Sequence, residues 1–282
     1  MKKIVLILLC CAFMQITLMA GGGWVQPRGK GYFKLGQNFL SADRFFAPDK
    51  SLVDITTVGM FTTSLYGEYG ISDRFAAIAY VPFFTRTTLN KVRFQPSGRE
   101  LPGDELNGFG DMDISLQYAL HKSETWVASA RVLLGFPTGN PRGGASGILQ
   151  TGDGEFNQML RFDLSRPIGQ KAWAGTYVGY NNRTRGFSDE WRYGIEIGLK
   201  LGQKSYIQLK TNVVQSTFNG DASQPEGNTI FANNVEFISP GIEFGWENKS
   251  GLGFNVSAEG AFSGRNILAA PNIAAGITYA LR

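Results

Sequence analysis

Apolar and polar residues alternate along this chain in runs long enough to cross a lipid bilayer as extended strands. In Asp111–Leu120, Met112, Ile114, Leu116, Tyr118 and Leu120 share one face, while Asp111, Asp113, Ser115 and Gln117 share the other. Trp191–Leu201 sets Trp191, Tyr193, Ile195, Ile197, Leu199 and Leu201 against Arg192, Gly194, Glu196, Gly198 and Lys200. Leu252–Phe262 repeats the pattern with Leu252, Phe254, Val256, Ala258 and Phe262 opposite Asn255, Ser257 and Glu259. A repeat of two means strands with one apolar and one polar face.

Run length narrows the class. Strands of soluble proteins average about 5–6 residues, whereas tilted transmembrane strands need about 9–11. Twelve such runs can be marked, at 30–40, 55–69, 74–84, 110–120, 124–136, 156–167, 171–183, 190–202, 204–217, 230–247, 251–262 and 265–281. Short turns (Gly70–Asp73, His121–Ser123, Ile168–Gln170, Gln203, Asn248–Ser250) alternate with longer polar loops at Ser41–Asp54, Thr85–Phe109, Pro137–Glu155 and Phe218–Thr229. That asymmetry belongs to outer-membrane barrels. Aromatic residues flank both sets of connections. Tyr69, Phe75, Tyr118, Trp126, Trp173, Tyr206, Trp246 and Tyr279 lie beside the turns, and Phe39, Phe83, Phe136, Tyr180, Trp191 and Phe262 near the loops. Two interfacial girdles are expected from them. The rival fold is a soluble sandwich or lipocalin-like barrel with its apolar face turned inward.

The first twenty residues follow another rule. Lys2 and Lys3 precede the apolar run Ile4–Met14, and Ala20 offers a small residue for cleavage, so Met1–Ala20 reads as a signal peptide. The two cysteines, Cys10 and Cys11, fall inside it. Losing the leader removes two of the 27 basic residues and none of the 23 acidic ones, which leaves a nearly neutral chain with interspersed charges. Nucleic acid is therefore not an expected partner. The expectation is an all-β, up-and-down antiparallel transmembrane barrel of about twelve strands over residues 21–282, in the outer membrane of a Gram-negative cell. Both termini would be periplasmic, with lipid and the barrel-assembly machinery as partners.

In lipid every backbone amide must find a partner within the sheet, so the sheet closes and its apolar face turns outward. The inward parity then collects Lys34, Arg131, Arg161, Arg192, Lys200 and Lys210 with Glu68, Asp111, Asp113, Asp163, Glu196, Glu243 and Glu259. Of these, Lys34, Asp113, Arg131, Arg161, Asp163, Arg192, Glu196, Lys210, Glu243 and Glu259 are the candidate lumen-lining residues. Such charges either line a water-filled pore or pair across a narrow barrel and fill it. Ala172–Tyr180 is apolar on both faces, which leaves the facing of Trp173 and Tyr177 open. Pro240, inside the tenth run, lacks a ladder donor and marks either a weak spot in the wall or a bulge.

Catalysis has little to build on. Hydrolytic barrels pair a nucleophile with a base, usually histidine, and the single histidine, His121, falls at a turn. The glycine-rich run Thr138–Gly154 has no Gly-Lys-Ser/Thr after a strand, so it is not a phosphate cradle. No metal or cofactor is called for, and the chain is not expected to be an enzyme.

Several segments resemble a known family. They are Gly21–Leu35 (GGGWVQPRGKGYFKL), Tyr69–Phe75 (YGISDRF), Gly108–Leu120 (GFGDMDISLQYAL), Phe136–Asn140 (FPTGN) with Thr151–Gly154 (TGDG), and Arg183–Gly194 (RTRGFSDEWRYG). Together they resemble the outer-membrane transporters named for the meta-pathway of phenol degradation, a family distantly similar to fatty-acid and aromatic-hydrocarbon channel barrels. The resemblance implies passive passage of small solutes, hydrophobic or aromatic ones among them, and carries over no catalytic residues. The alternatives are a closed structural or adhesin-like barrel with partner-binding loops, and an enzyme barrel. The hydrocarbon channels carry an N-terminal plug. Here only about nine residues, Gly21–Gly29, precede the first strand, and no plug is expected from so short a piece.

Overall fold

A computed structural model describes residues 22–224, 226 and 231–282; Met1–Ala20, with Cys10 and Cys11, lies outside the described residues. Twelve long strands form the wall. They are β1 (Gly31–Phe46), β2 (Leu52–Gly70), β3 (Phe75–Leu89), β4 (Met112–Lys122), β5 (Val127–Phe136) and β6 (Asn157–Ile168), followed by β7 (Ala172–Arg183), β8 (Glu190–Lys200), β9 (Ser205–Ser216), β10 (Glu236–Glu247), β11 (Leu252–Gly260) and β12 (Pro271–Leu281). Each pairs antiparallel with the next in sequence, and β12 returns to β1 from Gly31↔Leu281 to Leu40↔Asn272. The sheet closes, so the wall has no free edge.

The faces follow the alternation. Leu35, Leu116, Leu160, Phe162, Leu164, Ile195, Ile197 and Ile277 stand exposed on the outer surface. Gln117, Ser129, Asp163, Ser165, Asn255 and Thr278 are buried on the inner one. This inside-out distribution is stable only where lipid replaces water around the belt.

Both open facings resolve inward. A methyl group on Gly198 would meet the Trp173 ring at 1.9 Å, and one on Gly194 would meet Tyr177 at 2.0 Å. Each ring therefore lies flat over the glycine opposite it on β8. Tyr206 covers Gly245 in the same way. Aromatic cover of a bare glycine restores the contact area that its missing side chain gives up. The turn-side girdle is corrected accordingly: Trp173 and Tyr206 face the lumen, while Tyr69, Phe75, Trp126 and Tyr279 remain exposed outside.

The remaining departures lie at the loop end. β1, β2 and β3 run 16, 19 and 15 residues, longer than the other strands. The segment Ser41–Asp54, expected as a loop, is mostly a hairpin that continues the β1–β2 ladder to Phe46↔Leu52. Past the bilayer the outer face meets water, so the apolar repeat fades although pairing continues. The tenth and twelfth runs begin later than expected, at Glu236 and Pro271. Ser263–Arg265 pairs with β10 and Ile267–Leu268 with β1, bridging the seam between β11 and β12. Pro240 pairs with Thr211 of β9, with no bulge at that point. On its other side the ladder to β11 stops at Gly241↔Glu259, and pairing to 263–265 resumes at Ile238. Proline thus sits at a ladder gap, where its missing amide costs nothing.

Candidate functional site

The short stretch before β1 enters the barrel. Gly23 donates its amide to Ser165 Oγ at 3.0 Å, and Gln117 Nε2 donates to the Gly22 carbonyl at 3.1 Å. Gln26 Nε2 donates to Glu68 at 3.0 Å, and Val25 is buried against Ala76 and Ala119. At the exit Gly29 and Gly70 lock the segment to β2, with Gly29 N to Gly70 O and Gly70 N to Lys30 O both at 2.9 Å. The glycines have a steric reason: a Cβ on Gly22 would lie 2.6 Å from Ser165 Oγ, and Gly22 has φ of +74°. No plug is expected from so short a piece, yet its described residues bond to the inner face at Ser165, Gln117 and Glu68.

The inner charges divide into a filled side and an open one. On β4 to β8 one row in register runs Gln117, Arg131, Arg161, Gly179, Arg192. Arg161 donates to Asp163 at 2.5 Å and lies 3.6 Å over the Tyr177 ring, whose hydroxyl donates to Asn212 at 3.0 Å. Arg192 pairs with Glu190 at 2.8 Å. Arg131 has no ion pair among the described residues, and Asp113 continues the inner face of β4 beside this row.

Opposite them a cavity of about 800 Å³ occupies the half of the barrel nearer the termini. Lys34, Glu196, Lys210, Glu243 and Glu259 line it, so five of the ten candidate residues meet in one chamber. The other five (Asp113, Arg131, Arg161, Asp163 and Arg192) belong to the filled side. Lys210 reaches Glu259 at 2.9 Å, and Gln208 donates to Glu196 at 2.8 Å. Tyr32, Tyr66 and Tyr206 also line the chamber. Tyr32 shares the parity of Lys34 on β1, Tyr66 that of Glu68 on β2, and Tyr206 that of Lys210 on β9, so alternation carries the signal for all three.

The loop end is roofed. Thr87 donates to the Gln150 carbonyl at 2.7 Å, and Phe231 N donates to the Gln150 side chain at 3.1 Å. Ser188 N donates to Asn233 at 2.8 Å, and Asn266 donates to the Asn233 carbonyl at 2.8 Å. Beneath the roof, Arg183 joins Glu155, Glu190 (2.7 Å) and Asp153 (3.5 Å) in a buried cluster. Further out, Asp104 accepts from Ala145 N (2.9 Å), Ser146 N (2.8 Å) and Ser146 Oγ (2.5 Å), tying two loops together. Those donors, the Ser146 hydroxyl foremost, hold its carboxyl down at about 2. His121 is exposed at the turn end and stacks on Trp126, with ring centroids 3.8 Å apart. Among the described residues no group of three or more His, Cys, Asp and Glu side chains could hold a metal ion.

No family model matches this sequence, and no curated protein does. Solved structures do match it in fold. An outer-membrane channel from Pseudomonas putida F1 covers 93% of this chain and 99% of its own at 12% identity, with a TM-score of 0.63. The NanC porin covers 88% of this chain and 98% of its own at 8% identity, TM-score 0.54. The KdgM porin, solved with disordered oligogalacturonate, covers 88% and 99% at 7% identity, TM-score 0.50. The chain has the fold of outer-membrane channel barrels.

Proposed function

We propose that this chain is an outer-membrane channel that lets small solutes cross by passive diffusion. Its apolar belt would sit in lipid after export on Met1–Ala20 and insertion by the barrel-assembly machinery, with both termini in the periplasm. The observation that carries the reading is the 800 Å³ chamber inside a closed, lipid-facing wall. Its size is that of sites for small molecules, about 300–1,000 Å³. Tyrosine rings alternate there with carboxylates, amides and ammonium groups, so the lining favours aromatic solutes that carry polar substituents over plain hydrocarbons. Likeness to porins and to an outer-membrane channel supports a conduit over an enzyme.

A second reading has its own observation. The N-terminal segment occupies part of the lumen near the turn end, and the loops roof the other end, as a closed structural barrel would require. Single-channel recording in planar bilayers separates the two. Discrete conductance steps and solute flux into liposomes are expected for the channel; a silent, correctly folded protein would leave the closed barrel.

A further inference from the structure

The chamber is uneven in charge once its ion pairs are set aside. Lys210 is satisfied by Glu259, and Arg282 by Glu247. Glu68 and Glu243 have no ion pair among the described residues, and neutral groups hold them instead. Tyr66 and Gln26 donate to Glu68, and Tyr206 donates to Glu243 at 2.5 Å. Tyr32 stands opposite Glu68 in the ladder, and its ring meets Tyr66 edge-on at a centroid distance of 6.4 Å. Three tyrosines and two carboxylates thus line one cavity. Hydrogen bonds from tyrosine fix the orientation of each carboxylate without cancelling its charge. Among the described residues, two cations that line the chamber, Lys30 and Lys34, lack an ion pair, against three such carboxylates, Glu68, Glu196 and Glu243, so the unpaired charge is negative by one.

Aromatic faces beside fixed carboxylates are the chemistry that recognises ammonium groups: the ring quadrupole and the carboxylates attract the same charge. From this we infer that Tyr32, Tyr66, Tyr206, Glu68 and Glu243 form a binding site for a small organic cation, an amine or quaternary ammonium compound. The inference rests on the channel reading for its physiological meaning, since it names the solute class that the chamber selects. The site itself can be measured without transport.

The test uses the full chain purified in nonionic detergent, titrated calorimetrically with benzyltrimethylammonium, benzyl alcohol and benzoate at neutral pH. The expected order is cation first by at least tenfold, then the alcohol, with benzoate weakest. Glu68→Gln/Glu243→Gln should lose at least tenfold in cation affinity while keeping the heat-dependent gel mobility of a folded barrel. Benzoate binding as tightly as the cation on the unmodified protein would overturn the inference, and that comparison needs no variant. So would unchanged cation affinity in the folded double variant. Bilayer recording distinguishes the two failures. Cation binding without conductance removes the channel and keeps the site. Conductance with no preference for potassium over chloride, together with no cation binding, removes the site and keeps the channel.

Discussion

Trp173 lies flat on Gly198 across the β7–β8 ladder, so close that a single added methyl group would sit 1.9 Å from its ring. The indole fills the inner wall over a residue that offers nothing but backbone. The inward glycines Gly194 and Gly198 of β8 are therefore complements of the rings on β7.

Gly198→Ala should destabilise the barrel by about 1–3 kcal/mol, the usual cost of overpacking a filled interior. Gly194→Ala should behave likewise, since its methyl group would meet Tyr177. Thermal midpoints of the heat-dependent gel shift measure this. Midpoints equal to the parent's for both variants would refute the complement.

The N-terminal segment is held by few bonds, so it should be easy to loosen. Ser165→Ala and Gln117→Ala each remove one hydrogen bond to Gly22–Gly23, worth about 1 kcal/mol apiece. Each should raise the fraction of time the segment is detached, read as an upward step in single-channel current, by roughly fivefold, and deleting residues 22–29 should make the higher current permanent. Identical single-channel traces for all three would mean that the segment does not obstruct the path.

Arg183→Ala should cost far more than its place at a strand end suggests. It would leave Glu155 buried without its cation and Glu190 with Arg192 alone, and breaking a buried ionic cluster from one side costs about 3–5 kcal/mol. Adding Glu155→Gln should restore part of the loss. By contrast, Arg86→Ala removes an exposed pair with Glu105 and should stay within about 1 kcal/mol of the parent. Urea unfolding in lipid vesicles reads all three.

The Asp104 clamp should depend on pH in one direction. Its carboxyl is held below its ordinary value, so the folded loop binds the proton less readily than the unfolded chain does. The clamp's contribution is complete above about pH 4, the ordinary carboxylate range, and is lost as pH falls through about 2. Carbon-detected NMR should place the Asp104 inflection near that lower value, and Asp104→Asn should free Ala145–Ser146 to exchange at all pH values. An inflection near 4 would contradict the clamp.

The alternation in Asp111–Leu120 and Trp191–Leu201 was enough to assign strand, face and lipid exposure. A residue's face depends on its own parity, and parity is local. Ala172–Tyr180 was unreadable because both faces are apolar there: Trp173 and Tyr177 point inward onto glycines of another strand, and that partner lies some twenty residues away. Ser41–Asp54 was read as a loop because its pairing continues beyond the bilayer, where no apolar repeat is needed.

What the sequence determined by itself is the closed antiparallel wall of twelve strands. It follows from a repeat of two and the need to pair every amide in lipid. Only the tertiary structure decided that Arg161 and Arg192 are neutralised on one side while Glu68 and Glu243 face an open chamber on the other. It also decided that Gly22–Gly29 turns back into the lumen. Those outcomes depend on distances across the barrel, which are set by closure and strand stagger and leave no trace in local periodicity.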